Sequence, residues 1–260
     1  MSKRFSSLKS AERTKKKCEF VPWNLEDLVP EHIQNGNVQD ALKYICDLSP
    51  YIKHSGEMPL IAMKNQLYSV MASRTAVDQG VSHLRETGVI RVFKTSLGQD
   101  QFCIMFTIDY IKHITEQFKA TCKGEEQPKC LTRFLEEVLS NPTDITVEKE
   151  FLIDKHGFKD SDVTELIKIG VLNVKDAGSW WLAIPSVGCF LKLLRKGRQA
   201  IIQIIRRTKY REINYKMLLS RKPPTSLKFG FQYHVHDLIG ADLVRCINST
   251  TGVLLRIVND

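Results

Sequence analysis

The sequence predicts a mainly helical α+β fold made of three tandem units. Two observations carry that expectation: an amphipathic helix that stops abruptly and gives way to a β-hairpin occurs three times, and the copies are spaced at domain-sized intervals. In the first copy, Val77, Val81 and Leu84 recur at helical spacing up to Gly88, and Val89–Phe93 and Phe102–Phe106 then read as strands around a turn containing Gly98. In the second, Val163, Leu166 and Ile167 lead to Gly170, with Val171–Val174 and Trp180–Ile184 flanking a turn at Asp176-Ala177-Gly178. In the third, Val235, Leu238 and Ile239 lead through Gly240 to Leu243–Ile247 and Val253–Ile257 around a turn ending at Gly252. Glycine at each stop suits a helix turning sharply into a strand, because it tolerates positive φ. Gly170 lies 82 positions after Gly88 and Gly240 a further 70, intervals of small domains and not of thin solenoid repeats.

More helix precedes each hairpin unit. Val38–Leu48 precedes the first, Cys130–Leu139 the second, and Val187–Tyr210 followed by Glu212–Leu219 the third. Helices followed by a hairpin are the plan of a winged helix, a helix-turn-helix variant whose third helix enters the major groove while its hairpin touches the backbone. The expected boundaries are a basic, disordered tail over 1–34 and winged helices over 35–121, 122–185 and 186–260.

Charge sets the third unit apart. Of the formal net charge of +9, the stretch Phe190–Gly230 alone supplies twelve Lys or Arg against one acid, Glu212. Positive charge so localised faces a polyanion. A helix over Val187–Arg207 places Lys192, Arg195, Lys196, Gln199, Gln203, Arg206 and Arg207 on one side, with Val187, Phe190, Leu194, Ile201, Ile204 and Ile205 on the other. The candidate DNA contacts are Lys192, Arg195, Lys196, Arg198, Arg206, Arg207, Lys209, Arg211, Arg221, Lys222 and Lys228. Cations on phosphates give affinity more than sequence reading, so weakly specific binding is expected. Gln232, Tyr233 and His236 could reach a groove from the third helix, although Phe229, Phe231, Tyr233 and Val235 read more readily as core. Surplus isoleucines at Ile201, Ile202, Ile204 and Ile205 leave room for a second copy of the chain.

The other units differ. The first has Arg74, Arg85, Arg91 and Lys94 near its third helix and wing, whereas the second carries Asp160, Asp162 and Glu165, which repel phosphate and suit packing or protein binding. Near the N-terminus, the run Lys15-Lys16-Lys17 reads as a nuclear address or a solvated charge run. Neither a membrane span nor a secretory signal is expected. The seven cysteines are scattered and never in a Cys-x-x-Cys pair, which fits buried thiols in a reducing compartment, with no metal site and no cofactor expected. A kinase would need loops that hold a nucleotide's phosphates and magnesium, and the sequence has no Gly-x-Gly-x-x-Gly, His-Arg-Asp or Asp-Phe-Gly motif. A pure protein-interaction scaffold and an atypical serine/threonine kinase are the alternatives to a DNA-binding adaptor.

The strings Lys196-Gly197-Arg198-Gln199-Ala200, Tyr210-Arg211-Glu212 and Tyr233-His234-Val235-His236-Asp237-Leu238-Ile239-Gly240-Ala241 closely resemble the serine/threonine-protein kinase 19 family, with similarity over most of the chain. What that resemblance implies is a nuclear, non-enzymatic protein of three tandem winged helices. It would bind double-stranded DNA, form a homodimer, and act in transcription-coupled nucleotide excision repair between stalled RNA polymerase II and the repair helicase complex; RNA is a further partner that the charge alone leaves open. Arg206, Arg207, Lys209, Arg221 and Lys222 are the positions on which the resemblance and the charge pattern agree.

Overall fold

The computed structural model describes residues 28–49, 58–98, 100–121, 127–139 and 144–258, so the Lys15–Lys17 run lies outside the described residues. The expected tail ends earlier than 34. Leu28, Val29 and Ile33 are buried, and helix α1 (Glu31–Gln34) is held by the Gln34 side-chain amide donating to the Val29 carbonyl at 2.7 Å. The basic composition up to residue 17 hid this short apolar cluster, which has enough burial to order the chain.

One order of elements then recurs. The first unit runs α2 (Val38–Asp47), β1 (Ala62–Met63), α3 (Lys64–Val70), α4 (Arg74–Glu86), β2 (Ile90–Lys94) and β3 (Phe102–Phe106), followed by α5 (Thr107–Thr121). The second has α6 (Lys129–Arg133) continuing as a π-helical turn over Phe134–Val138, then β4 (Thr146–Glu148), a π-helical segment Glu150–Lys155, α7 (Asp160–Ile169), β5 (Leu172–Asp176) and β6 (Ser179–Leu182). The third has α8 (Val187–Arg206), β7 (Glu212–Asn214), α9 (Tyr215–Leu219), α10 (Gly230–Gly240), β8 (Val244–Ser249) and β9 (Gly252–Ile257). Each unit closes a three-stranded antiparallel sheet in which the hairpin's second strand lies in the middle: β1-β3-β2, β4-β6-β5 and β7-β9-β8.

The three expected hairpins form, with Val92 opposite Ile104, Val174 opposite Trp180 and Cys246 opposite Leu255. The short third strands were not foreseen. Two or three residues are too few to show a period of two, and Glu212–Asn214 was expected to be helical. It is a strand because Asn214 caps α9, accepting from the Lys216 amide at 2.9 Å, so the helix cannot start earlier.

Gly88 and Gly170 act as expected, at φ +73° and +89°. Gly240 does not: it is the last residue of α10, and a β-carbon there would collide with the Asn65 backbone of α3. Gly197 of α8 has the same role against the His234 ring. These two glycines let α10 lie directly on α3 and α8.

That contact joins the first and third units. Gln66 donates to the Tyr233 carbonyl at 2.9 Å, the Tyr233 hydroxyl to the Ile61 carbonyl at 2.8 Å, and Asn65 to the Asp237 carbonyl at 2.8 Å; Ser69 Oγ lies 3.0 Å from His236 Nδ1. At its centre Arg198 grips Asp237 through two parallel hydrogen bonds, Nε to Oδ2 at 2.5 Å and Nη2 to Oδ1 at 2.7 Å, and reaches Gln101 with Nη1 at 3.2 Å. Both side chains of the pair are buried. Arg198 is therefore withdrawn from the expected DNA contacts: it lies on the buried side of α8 with Leu194, Ile201 and Ile205, ties α8 to α10 within the third unit, and reaches the first unit through Gln101. Tyr233, His234, Val235, His236, Asp237 and Leu238 are all buried too, so α10 offers no groove-reading face, and of the expected readers only Gln232 is exposed. The first unit meets the second where the Tyr110 hydroxyl donates to the Ala183 carbonyl at 2.6 Å and Arg91 Nη2 to the Leu139 carbonyl at 2.5 Å.

Three outcomes are expected in solution. Gly240→Ala and Gly197→Ala should each lower unfolding free energy by about 1–3 kcal/mol in urea titrations, whereas Gly188→Ala, with open space around it in the first turn of α8, should be neutral or stabilising. Arg198→Ala should cost about 3–5 kcal/mol by leaving Asp237 buried and unpaired, and Arg198→Met with Asp237→Leu should recover much of that loss. Burial pushes the pKa of both His234 and His236 down to about 4. Their folded pKa lies below the unfolded value, so their neutral forms favour the fold fully above about pH 6.5, and stability falls as pH drops from there toward 4. Melting temperature measured between pH 7.5 and 5 should decline, and His236→Gln should flatten that decline.

Candidate nucleic-acid interface

Helix α8 separates two faces by its own periodicity. Phe190, Leu191, Leu194, Gly197, Ile201 and Ile205 are buried, while Lys192, Arg195, Lys196, Gln199, Gln203 and Arg206 are exposed and recur every three or four residues along one side. From Lys192 to Arg206 this stripe is about 21 Å long at the helical rise. Such a length equals several phosphate spacings of a nucleic-acid backbone.

The stripe continues past the helix. Arg207, Lys209 and Arg211 are exposed in the turn leading to β7, where the Arg211 amide donates to the Thr208 carbonyl at 3.1 Å and Arg211 itself adopts φ +54°. Arg221 and Lys222 are exposed before Pro223-Pro224, and Lys228 is exposed ahead of α10. Ten of the eleven expected contacts thus reach solvent, Arg198 being the one that does not. Glu212, the single acid of this stretch, faces the neighbouring strand of its own sheet. It is neutralised by Arg256 of β9, whose Nε donates to it at 2.5 Å.

Sequence reasoning left two further cations out of the candidate contacts. Lys216 is exposed on α9, and Arg245 is exposed on β8, directly opposite Arg256 across the hairpin. The signal for Arg245 was present in the alternation of β8, where buried Val244 precedes it.

The first unit's cations turn out to be tethers. Arg91 is buried, Arg85 pairs with Asp144 at 3.6 Å, Arg74 with Asp242 at 3.8 Å, and Lys94 Nζ sits 4.6 Å from the centre of the Trp181 ring. Each reaches a residue of another unit, a partner that spacing along the chain could not reveal. On α7, Asp160 and Glu165 are exposed, and Glu165 accepts from the Cys130 thiol at 3.3 Å. Burial, with Glu165 beside it, pushes that thiol up to about 11, and the buried Cys46 and Cys103 rise to about 12. An open cleft of about 400 Å³ near the second wing is lined by Glu148, Glu150 and Asp154 with Lys149, a lining that repels phosphates. Among the described residues no group of three or more metal-ligating side chains converges, and no helix is long and apolar enough to cross a membrane.

Comparison with known proteins agrees over most of the chain. A mouse protein named winged helix repair factor 1 is 37% identical over 228 residues, covering 88% of each chain. The human protein of that name is 38% identical over 222 residues, 85% of this chain and 86% of its own. A fission yeast protein, Schizosaccharomyces pombe serine/threonine-protein kinase mug51, is 24% identical over 215 residues, covering 77% of this chain and 67% of its own. The profile of the family described as inactive serine-threonine protein kinase 19 matches residues 48–257. The chain belongs to that family.

Proposed function

We propose that this chain is a nuclear, non-enzymatic DNA-binding adaptor in DNA repair, composed of three tandem winged-helix units of which the third holds duplex phosphates and the first two dock proteins. The observation that carries this reading is the continuous exposed stripe of Lys192, Arg195, Lys196 and Arg206 on α8, extended by Arg207, Lys209 and Arg211. A helix face of like charge costs stability through repulsion, and a polyanion relieves it. Vertebrate relatives named as repair factors support the repair context, and the family's description as inactive supports a role without phosphoryl transfer.

The burial of α10 supports one mode of binding. In a winged helix the third helix reads base edges, and here that helix is enclosed by α3 and α8, so contact falls to phosphates and carries little sequence information. The same reading includes a homodimer and transcription-coupled repair partners around stalled RNA polymerase II. Within it, the acidic α7 serves a protein and not the nucleic acid.

Salt titration tests the proposal. With about five phosphates neutralised, log K should fall against log salt with a slope near −4 to −5. Arg195→Glu with Arg221→Glu should make the slope shallower by about two. Duplexes of scrambled sequence should bind within about threefold of one another. Tight binding indifferent to salt and to both substitutions would overturn the reading.

A further inference from the structure

Tyr210 is 72% exposed, and among the described phenylalanine, tyrosine and tryptophan rings it is the one that stands in solvent while the others are buried or half-buried. Its neighbours are cations. Arg206, Arg207, Lys209 and Arg211 surround it in sequence, and Lys209 Nζ lies 5.2 Å from the centre of its ring. An exposed tyrosine face gives up burial unless something covers it. Here the surrounding charge selects what that can be.

The backbone that carries the ring is also fixed. Residues 208–211 form a tight turn closed by the Arg211 amide on the Thr208 carbonyl, with the Thr208 hydroxyl donating to the Ile205 carbonyl at 2.6 Å. The turn is anchored by buried Ile205 at the end of α8 and buried Ile213 in β7, and a non-glycine residue, Arg211, is kept at positive φ to complete it. The turn follows directly on the C-terminal end of α8, where the exposed stripe of that helix ends.

Resting on the phosphate-binding reading above, we propose that Tyr210 is a stacking platform for an unpaired nucleobase, so that the preferred ligand is duplex DNA with an adjoining unpaired strand. Bases inside an intact duplex are covered on both faces and cannot stack on an outside ring. Only a base at a fork, a bulge or a bubble edge can. Four cations hold the strand's phosphates on either side of the ring, the arrangement found where single strands are bound without sequence preference.

The test uses the full chain, fluorescence anisotropy, and three labelled ligands: a blunt duplex, a fork of the same duplex, and that fork with an abasic site at its first unpaired position. The fork should bind tighter than the blunt duplex by about five- to a hundred-fold. Tyr210→Ala and the abasic site should each remove that preference, and together no more than either alone, whereas Tyr210→Phe should keep it. Because the ring is exposed, Tyr210→Ala should melt at the wild-type temperature, and Tyr210→Leu serves as a second variant if it does not. Equal affinity for fork and blunt duplex, a preference that survives Tyr210→Ala, or losses from variant and abasic site that multiply would each overturn the inference while salt-dependent duplex binding stands. Failure of the blunt duplex to bind would defeat the phosphate reading and this inference with it.

Discussion

The enclosure of helix α10 is the constraint on which the rest of the structure depends. Two glycines, Gly197 and Gly240, allow α8 and α3 to approach it closely, and the Arg198–Asp237 pair locks the resulting core. Bringing two charges out of water is costly, and only their two parallel hydrogen bonds, with Asn65 donating to Asp237 Oδ1 at 3.0 Å and Arg198 reaching Gln101, offset that cost. Satisfied in this way, the pair specifies one arrangement of the first unit on the third. His234 and His236 complete the core as neutral rings.

Enclosing α10 has a functional consequence. A helix that would otherwise be free to enter a groove is spent on packing, and the exposed cations of the third unit lie on the outside of α8 and in the turn after it. The outside of a helix meets phosphates, and phosphates are alike in every sequence. On the proposed function, weak specificity would be a product of the packing. Meanwhile Arg74, Arg85, Arg91 and Lys94 of the first unit are committed to Asp242, Asp144, the Leu139 carbonyl and Trp181, so the cations nearest its third helix bind the units together.

Much of this was legible beforehand. The three hairpins follow from apolar strand-forming runs bounded by turns, and the two faces of α8 follow from the spacing of Phe190, Leu194, Ile201 and Ile205. Arg198 could have been placed correctly by the same spacing, since it lies four positions after Leu194 and three before Ile201. Its charge argued for solvent, and the partner that reverses that argument, Asp237, lies 39 positions away. Residues 28–34 and the short strands β1, β4 and β7 were missed because segments so brief carry no period, and their place is decided by the strands and helices they meet.

What the sequence determined by itself was the local structure and the location of positive charge, since both depend on residues within a few turns of one another. The tertiary structure alone decided which charges remain outward. Ion pairs and helix crossings join residues far apart in the chain, such as Asn65 with Asp237, and no local pattern encodes a partner at that distance. It decided equally that α10 faces inward and Tyr210 outward, because burial is a property of what other segments cover.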